Sequence, residues 1–303
     1  MDYKKIIKSR SIRVKIMQML SFLPDSYVVK LQYYIKTGRK LNLDNPMRYT
    51  EKLQWYKLYY RDGLMAKCVD KYTVRDYVKS KGLEQILTPI EGVFESVDEI
   101  CFDTLPERFV IKDTLGGGGN SVIVVKDKNT IEWNKIKESI SKWLYNGKTK
   151  HPGREWVYDG RKSKIMIEQY IDSNPNEGGL IDYKFFFFNG ELACVYGIAD
   201  RVLGKEAGFA IFDSEFNILP YSRMDEKPLT RNLKKPDNYD EMVLVAKKLA
   251  EDFPHARIDL YDQEGIIRFG EITFFDGSGY MTFEPDEFDF ILGEKFKLPK
   301  RNH

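Results

Sequence analysis

Two carboxylates lie inside otherwise apolar, β-prone segments near the C-terminus. Asp259 interrupts the run Arg257–Tyr261, and Glu271 interrupts the run Phe269–Phe274. Burying a carboxylate is costly unless it is paired with a cation or bound to a metal. If the connection at residues 263–265 has an odd length, the two acids face each other across a hairpin and offer the oxygen ligands that Mg²⁺ prefers. A simple two-residue turn would place them on opposite faces, and a solvated sheet face with a salt bridge is the alternative.

An arginine and a threonine share the predicted face with these acids. Side chains alternate along a strand, so Arg257 and Thr273 are expected to point the same way as Asp259 and Glu271. An arginine beside a metal-binding pair can hold the charge that develops on a phosphate. The hairpin therefore favours a metal and phosphate site over a purely structural salt bridge.

Four consecutive glycines lie between two β-prone runs, residues 108–113 and 121–126. Glycine lets the backbone approach a ligand closely and turn its N–H groups toward an anion. The loop joins two strands, so it is neither a Walker A loop nor a Rossmann turn, both of which open a helix. Lys112 ends the first run and can reach the same phosphates as the loop. The alternatives are an exposed flexible turn and an edge-strand surface lysine.

Weaker candidates occur elsewhere in the chain. Glu168 lies in the strand pattern 164–171, which can bend away and offer backbone groups to an adenine edge, although an edge-strand acid is the plainer interpretation. Asp182 and Lys184 alternate and so point to one face of a strand. Lys71 lies on a predicted helix. For these three residues, solvated surface positions are the alternative.

Helical and strand patterns are interspersed, and the strands are predicted to be mainly antiparallel. Residues 1 to about 85 show apolar side chains at helical spacing, and a β-rich middle follows. Asn189-Gly190 between two apolar runs indicates a tight hairpin. Residues 132–144 and 239–253 are predicted helices. This mixture predicts an α+β fold.

The bulk composition excludes several classes of protein. The chain has 303 residues with 42% hydrophobic and 31% charged residues, which is typical of a globular enzyme. A net charge of +2 argues against a dedicated nucleic-acid-binding protein. Cys68, Cys101 and Cys194 are odd in number and widely spaced, so a reducing cytoplasm is expected. No apolar run approaches the ~20 residues that a membrane span needs.

The first 20 residues are basic, with apolar residues interleaved among the cations. Such a pattern is compatible with peripheral contact with an anionic membrane surface, at the inner face of the membrane. The alternative is a surface helix packed on its own domain. Asp2 is the single acidic residue of this segment, and its cations are Lys4, Lys5, Lys8, Arg10, Arg13 and Lys15.

The order of these motifs resembles the ATP-grasp superfamily, of which D-alanine–D-alanine ligase is a familiar member. Within it, the chain is more similar to the TupA-like ATP-grasp family, named for a teichuronopeptide biosynthesis protein. The resemblance runs from about residue 40 to the C-terminus, and its strength lies in the joint order of the motifs. The matching segments are Glu51–Trp55, Val69–Tyr72, Gly153–Trp156, Asp182–Phe186, Phe188–Gly190, Asp252–Pro254, Arg257–Tyr261 and Gly270–Phe274.

The resemblance implies a fold in which two α+β subdomains clasp ATP between antiparallel sheets. It implies a helical N-terminal region at 1–85, a lid subdomain at 86–170 that carries the glycine flap, and a Mg·ATP and substrate subdomain at 171–303. ATP and Mg²⁺ are the implied cofactors.

The resemblance also implies roles for individual residues. Residues implied to bind ATP phosphates are Lys71, Lys112, Gly116, Gly117, Gly118 and Gly119. Residues implied to recognise adenine are Glu168, Gln169, Tyr170 and Ile171, with Asp172 or Glu177 holding the ribose. Asp259 and Glu271 are implied Mg²⁺ ligands, Arg257 is implied to steady an acyl phosphate, and Lys184 to reach a terminal phosphate.

One position departs from the pattern of many ATP-grasp ligases. The third metal ligand in those enzymes is an Asn two residues after the Glu, and here that position is Thr273, a poorer ligand. At this position the resemblance therefore implies no second metal ion, and it leaves the exact chemistry open.

The implied activity is carboxylate–amine ligation through an acyl phosphate, acting on a small-molecule or glycan carboxylate and an amine. The family context implies modification of a cell-surface polysaccharide or its uronic-acid precursor, as in capsule synthesis. Arg154, Trp156, Asp200 and Arg201 are candidates for the acceptor site, and structural salt bridges are the alternative for the two arginines. Two other functions stay open: a glycan-directed phosphotransferase or glycosyltransferase on the same fold, and a non-catalytic nucleotide-binding scaffold.

Overall fold

The computed structural model describes residues 22–117, 119, 121–144, 150–173, 178–202 and 206–303. The basic N-terminal segment, Gly118 and Glu177 lie outside these residues. Across the described ranges, no helix combines the length and apolar character needed to cross a bilayer.

From residue 22 to the first strand, the described residues are mainly helical, as the sequence pattern predicts. Helix α1 (Asp25–Thr37) ends where Gly38 takes a left-handed backbone with φ 74° and donates its N–H to the carbonyl of Tyr34. Three more helices follow before the first strand: α2 (Tyr49–Tyr59), α3 (Gly63–Cys68) and α4 (Val74–Ser80).

A four-stranded antiparallel sheet follows, with strand order β1-β4-β2-β3. Phe109 and Ile111 point into its core, as the period of two in a half-buried strand requires. Helix α5 (Trp133–Ser141) covers that side, with the Trp133 ring stacked 6.3 Å from Phe109. The strands are β1 (Ile90–Phe94), β2 (Phe109–Asp113), β3 (Val122–Val125) and β4 (Ile165–Gln169).

The larger sheet has six strands in the order β11-β10-β5-β6-β7-β9. Its neighbouring strands are antiparallel except β7 and β9. The strands are β5 (Asp182–Phe188), β6 (Glu191–Val202), β7 (Glu206–Phe212), β9 (Lys227–Pro228), β10 (His255–Gln263) and β11 (Ile266–Thr273). The remaining elements are the strand pair β8 (Ser222–Arg223) and β12 (Phe283–Glu284), and the helices α6 (Tyr239–Ala250) and α7 (Glu287–Lys295).

Strand β5 is the centre of the main core. Its residues are buried on both faces, which explains the continuous aromatic run Phe185–Phe188. Tyr49 of α2 packs on Phe188 with ring centroids 5.2 Å apart and shares a 3.1 Å hydrogen bond with Nε2 of the buried His255. Helix α2 is thereby fixed against the larger sheet. The subdomain boundaries at residues 85 and 170 stay a prediction.

Candidate active site

The hairpin of β10 and β11 differs from the sequence expectation in its turn. Gln263 pairs with Ile266, so the turn is the two residues Glu264 and Gly265, with φ 51° and 87°. By parity alone, a turn of this length places Asp259 and Glu271 on opposite faces. The turn is therefore the two-residue alternative, and it does not meet the condition that the sequence argument set for facing acids.

A β-bulge restores the facing pair. The register shifts between Asp259 and Leu260, which leaves Gly270 as the extra residue and sets Asp259 opposite Glu271. A Cβ on Gly270 would lie 2.9 Å from the carbonyl oxygen of Asp259, so the bulge has room only for glycine. The geometry that the acids need is therefore encoded in this bulge rather than in the turn.

Three neighbouring strands bring their polar side chains into one row. Lys184 of β5 pairs with Asp259 of β10, which pairs with Glu271 of β11. Lys184 donates to Oδ2 of Asp259. Arg257 donates Nε to Oδ1 of Asp259 and Nη2 to Oδ2, both at 2.7 Å. The carboxylate of Asp259 is only 2% exposed, so these contacts offset its burial.

Arg257 joins three acids at once. Its Nη2 also lies 2.9 Å from Oε1 of Glu271, and its Nη1 donates to Asp276. The carboxylates Asp259, Asp276 and Glu271 more than offset the burial of this guanidinium and hold its pKa well above the usual value. Thr273 donates to Oε1 of Glu271 at 3.2 Å, which places its hydroxyl beside the acidic pair.

The pKa values of the two acids are shifted in opposite directions. Burial raises the pKa of Asp259 to about 6, and Arg257 and Lys184 oppose the rise. Burial acts in the same direction on Glu271, but Lys71, Arg257 and Lys184 outweigh it and hold the pKa well below the usual value. The pair thus presents negative oxygens beside fixed cations.

Asp182 extends the row toward the acceptor candidate Arg201. Its Oδ2 lies 2.8 Å from Nζ of Lys184 and 2.8 Å from Nη2 of Arg201. Its other oxygen, Oδ1, is buried without a hydrogen-bond partner among the described residues. Burial raises the pKa of Asp182, and the two cations more than reverse that rise, so the pKa is lowered overall.

Lys71 connects the helical region with both sheets. Its Nζ lies 3.6 Å from Oε2 of Glu271 and donates to the carbonyl of Gly116. Its backbone N–H bonds the carbonyl of Thr114 at 2.9 Å. The glycine loop therefore begins beside the acidic pair. Gly119 takes a left-handed φ of 71°, and a Cβ on Gly117 would meet open space.

Glu168 and Lys112 form an ion pair on the four-stranded sheet. Strands β4 and β2 are both internal to that sheet, so the edge-strand interpretations of these two residues were wrong. Arg75 of α4, which the sequence motifs did not single out, lies 3.8 Å from Oε1 of Glu168.

The residues after β4 form the predicted adenine and ribose segment. Gln169 donates its backbone N–H to the carbonyl of Pro89 at 3.0 Å. The guanidinium of Arg108 lies 5.1 Å from the ring centroid of Tyr170 and pairs with Asp172, whose Oδ2 is 3.0 Å from Nη2. Ile171, between these two residues, continues the chain out of the sheet.

The four acceptor candidates occupy different surroundings. Arg154 is buried with φ 57° and pairs with Asp25 at 3.3 Å. The Trp156 ring lies 4.9 Å below the guanidinium of Arg61, and its buried Nε1 has no hydrogen-bond partner within the described residues. Asp200 accepts two bonds from Arg231, at 2.8 and 2.9 Å. Arg201 joins the strand row through Asp182.

Sequence reasoning missed two members of the reaction-centre network, Asp276 and Arg223. Asp276 is 2% exposed and accepts from Arg257 and, at 3.3 Å, from Arg223. The signal available was an acid directly after the apolar Phe274-Phe275 and before a Gly-Ser-Gly run. Nothing local in the sequence marks Arg223.

The donor chemistry of this site suits Mg²⁺. Two carboxylates and a hydroxyl lie together at Asp259, Glu271 and Thr273, and Mg²⁺ is commonly held by one or two carboxylates plus phosphates and waters. Within the described ranges, no group of three or more His, Cys, Asp or Glu side chains is placed to hold a metal.

Several solved structures match the chain at low identity. D-alanine–D-alanine ligase from Bacillus anthracis is 19% identical with a TM-score of 0.44, over 76% of this chain and 67% of that one. The corresponding ligase from Helicobacter pylori is 16% identical with a TM-score of 0.41, over 77% of this chain and 60% of that one. N5-carboxyaminoimidazole synthetase from Staphylococcus aureus, complexed with ADP, is 13% identical with a TM-score of 0.38, over 68% of this chain and 44% of that one.

The chain thus spans between 44 and 67% of the lengths of these three proteins. No curated protein matches the chain. The family model described as TupA-like ATPgrasp matches residues 51–297, which is most of the chain and includes the acidic pair, the glycine loop and Lys71. The chain therefore belongs to the TupA-like ATP-grasp family.

Proposed function

We propose that this protein uses Mg·ATP to activate a carboxylate and joins it to an amine. The observation that carries the proposal is the row formed by Lys184, Asp259 and Glu271 across three strands, with Arg257 bound to both acids. Two carboxylates lie among cations at a single site there, and phosphoryl transfer relies on metal-binding acids and cations placed around the transferred group. Family membership supports the same chemistry.

In this proposal the ATP phosphates lie between the two sheets. Lys71 and Lys112 bind them together with the glycine loop, from Gly116 to Gly119, whose first carbonyl already contacts Lys71. In the structure both lysines face carboxylates, Lys71 that of Glu271 and Lys112 that of Glu168, so their ammonium groups are held in place before a phosphate arrives.

The segment after β4 is proposed to hold the nucleoside. Glu168, Gln169, Tyr170 and Ile171 contact adenine, and Asp172 contacts the ribose. Support comes from the position of this segment, at the end of an internal strand of the smaller sheet and on the same strand as the partner of Lys112.

Asp259, Glu271 and Thr273 are the proposed ligands of Mg²⁺. Bound Mg²⁺ would neutralise phosphate charge and polarise the transferred phosphoryl group. The low pKa of Glu271 keeps this carboxylate ionised, and its partial exposure, 32% of the side chain, leaves it open to a ligand.

The proposed reaction has two steps. A substrate carboxylate oxygen attacks the γ-phosphorus of ATP, giving an acyl phosphate and ADP. The amine nitrogen then attacks the acyl carbon, the C–O bond to phosphate breaks, and the nitrogen loses a proton to give the amide. Arg257 and Lys184 hold the charge that develops on the transferred group, and neither step needs a nucleophilic side chain.

For the acceptor side we propose Arg154, Trp156, Asp200 and Arg201. Among these, Arg201 is linked to the strand row by its ion pair with Asp182. The proposed substrates are the uronic-acid carboxyl of a cell-surface polysaccharide, such as a capsule, or of its precursor, and an amino acid or other amine. The proposed location is the cytoplasm, with the basic N-terminus touching the inner face of the membrane.

The test is ATP turnover with Mg²⁺, measured as ADP and phosphate release. Pools of uronic acids or UDP-uronic acids are combined with pools of amino acids. Wild type is compared with Asp259→Asn and Glu271→Gln. Glu264→Gln, at the exposed tip of the same hairpin, is the matched control.

We expect ADP and phosphate only when both substrates are present. Losing either acid should slow turnover by about 10²-fold or more, as expected for loss of one preorganised electrostatic contact, and the control should match wild type. A phosphorylated or extended sugar in place of an amide would overturn the ligase reaction. Binding of Mg·ATP without turnover in any pool would favour the scaffold function.

A further inference from the structure

A fully buried lysine lies behind the reaction centre, on helix α2. Lys57 has 0% exposure. Its Nζ donates to Oε1 of Gln54 at 2.9 Å, to the carbonyl of Gly153 at 3.1 Å and to the carbonyl of Ser278 at 2.8 Å. The whole hydrogen-bonding capacity of the ammonium is thus used on neutral oxygens. Burying a lysine head group among neutral oxygens is costly, and its three hydrogen bonds offset that cost.

The carbonyls that Lys57 binds belong to two strained loops. Ser278 has φ 56°, between Gly277 at 51° and Gly279 at 70°. Arg154, next to Gly153, has φ 57°. A left-handed backbone at a non-glycine residue is unfavourable unless its surroundings enforce it. Lys57 binds one carbonyl in each of these two loops.

Other contacts reinforce the same cross-link. Gln54 donates Nε2 to the carbonyls of Ser278 and Gly279, at 2.9 and 2.7 Å. The hydroxyl of Ser278 donates to Glu155 of the other loop. A Cβ on Gly279 would lie 2.5 Å from Nε2 of Gln54, so the close approach requires glycine there. We name residues 153–155 and 277–279, with Lys57 and Gln54, the lysine clamp.

The clamp is continuous with the reaction centre. Asp276 immediately precedes the second loop and accepts from Arg257, whose Nη2 contacts both acids of the pair. The loop is therefore tied at one end to the guanidinium and at the other to α2. Asp276 is the covalent neighbour of residues 277–279, so a displacement of that loop acts on one of the three carboxylates that hold Arg257.

We propose that Lys57 is a positioning residue that locks the two loops of the lysine clamp and, through Asp276, sets the position of Arg257 for reaction. The effect on turnover rests on the proposed ligase function, whereas the effect on the loops does not. Burial lowers the pKa of Lys57 to about 7, with Glu155 opposing the shift and Lys36 adding to it. The Tyr280 ring, 4.7 Å away, also faces the ammonium.

The key variant is Lys57→Met, which roughly keeps the length of the side chain but cannot donate hydrogen bonds to the two loops. Its matched control is Lys52→Met on the same helix. Lys52 donates to the carbonyls of Gly293 and Phe296, at 2.6 and 2.8 Å, and so anchors α7 instead of the clamp. Ser278→Ala is a second, milder variant that removes the contact with Glu155 and leaves Lys57 in place.

Three quantities are measured on each full-length variant. Amide hydrogen exchange reports on residues 151–156 and 276–280. The dissociation constant of Mg·ATP is measured by calorimetry. ADP formation is followed with Mg·ATP alone and with the uronic-acid and amino-acid pools.

We expect Lys57→Met to speed exchange in both loops by about tenfold or more, which corresponds to about 1.4 kcal/mol of lost local stability. ADP formation should fall by a similar factor while the dissociation constant of Mg·ATP changes by less than about threefold. Ser278→Ala should shift the same quantities less, and Lys52→Met should leave both loops as in wild type.

The outcomes separate the two levels of the proposal. Unchanged exchange in both loops of Lys57→Met and Ser278→Ala overturns the clamp. Faster exchange with wild-type ADP formation leaves Lys57 structural and overturns its positioning role. If wild type neither binds Mg·ATP nor forms ADP, the ligase function fails, and the exchange data still decide the clamp.

Discussion

At the scale of single residues, the site depends on one guanidinium that three carboxylates share. Arg257 contacts Asp259, Glu271 and Asp276, and these three carboxylates raise its pKa. Arg257, Asp259 and Asp276 are buried, so removing one of these three leaves an uncompensated charge, which typically costs about 3–5 kcal/mol. A preorganised network of this kind suits charge stabilisation because its dipoles and charges need no rearrangement when phosphate charge develops.

The pH dependence of stability should reveal the state of Glu271. Its folded-state pKa lies below the ordinary value of 4.5, so ionisation contributes stability above pH 4.5 that is lost as the pH falls below it. Glu271→Gln has no such titration. We therefore expect the difference in free energy of unfolding between wild type and Glu271→Gln to narrow as the pH falls from about 5 to about 3.

Urea unfolding at a series of pH values, followed by tryptophan fluorescence, measures this difference. Glu264→Gln at the exposed turn serves as the control, and its difference from wild type should stay nearly constant. The prediction is wrong if the difference in free energy of unfolding between wild type and Glu271→Gln stays constant or widens as the pH falls. That result would show that the surrounding cations do not stabilise this carboxylate.

At the scale of elements, the β-bulge in β11 decides whether the two acids of the proposed metal site face each other. The two-residue turn fixes the pairing of Gln263 with Ile266, and only the extra residue Gly270 brings Glu271 opposite Asp259. A shift of one residue reverses the face of every side chain beyond it. The two strands thus pair in one register near the turn and in another beyond the bulge, where the acids of the proposed site lie.

Gly270→Ala tests the bulge. The added Cβ would lie 2.9 Å from the carbonyl oxygen of Asp259, so we expect the free energy of unfolding to fall by about 1–3 kcal/mol. ATP turnover should fall further than this loss of stability explains, because the two acids lose their register. Denaturant unfolding and ADP release measure the two effects.

Gly265→Asn is the control on the same hairpin. Gly265 has φ 87° with nothing within 4 Å of its Cβ position, and Asn tolerates left-handed backbone better than most residues. Gly265→Asn should lower the free energy of unfolding by less than about 1 kcal/mol and keep wild-type turnover. Wild-type turnover in Gly270→Ala would refute the role given to the bulge.

At the scale of the whole molecule, Lys71 connects three parts of the structure. It comes from the helical region, contacts Glu271 of the larger sheet and binds the first residue of the glycine loop of the smaller one. A ligand that engages these parts together links segments distant in the chain. Binding should therefore stabilise the fold as a unit.

Mg·ATP is expected to raise the free energy of unfolding of wild type. At a free concentration 100 times the dissociation constant, the increase should be about 2.7 kcal/mol. Thermal or urea unfolding with and without Mg·ATP measures it, and ATP with EDTA should give a smaller increase. Lys71→Met should bind less tightly and show a reduced shift at the same ligand concentration. No shift in wild type would contradict the ATP site.

The sequence alone determined the class of fold and most of the candidate residues. Periodicity predicted the helical start, the helix at residues 239–253 and the Asn189-Gly190 hairpin, because these signals are local. The polar interruptions at Asp259 and Glu271 stood out because apolar surroundings make an unpaired carboxylate expensive. The joint order of motifs predicted the family, which the match over residues 51–297 confirms.

Only the tertiary structure decided which of these residues meet. The facing of Asp259 and Glu271 depends on a bulge, and bulges follow from packing and close backbone approach, as at Gly270, rather than from hydrophobic period. Asp276 and Arg223 join the site, and Lys57 stands behind it, through contacts between residues far apart in sequence. Local pattern carries no information on such pairs, since their stability arises from burial and charge compensation that exist only once the sheets and helix α2 have assembled.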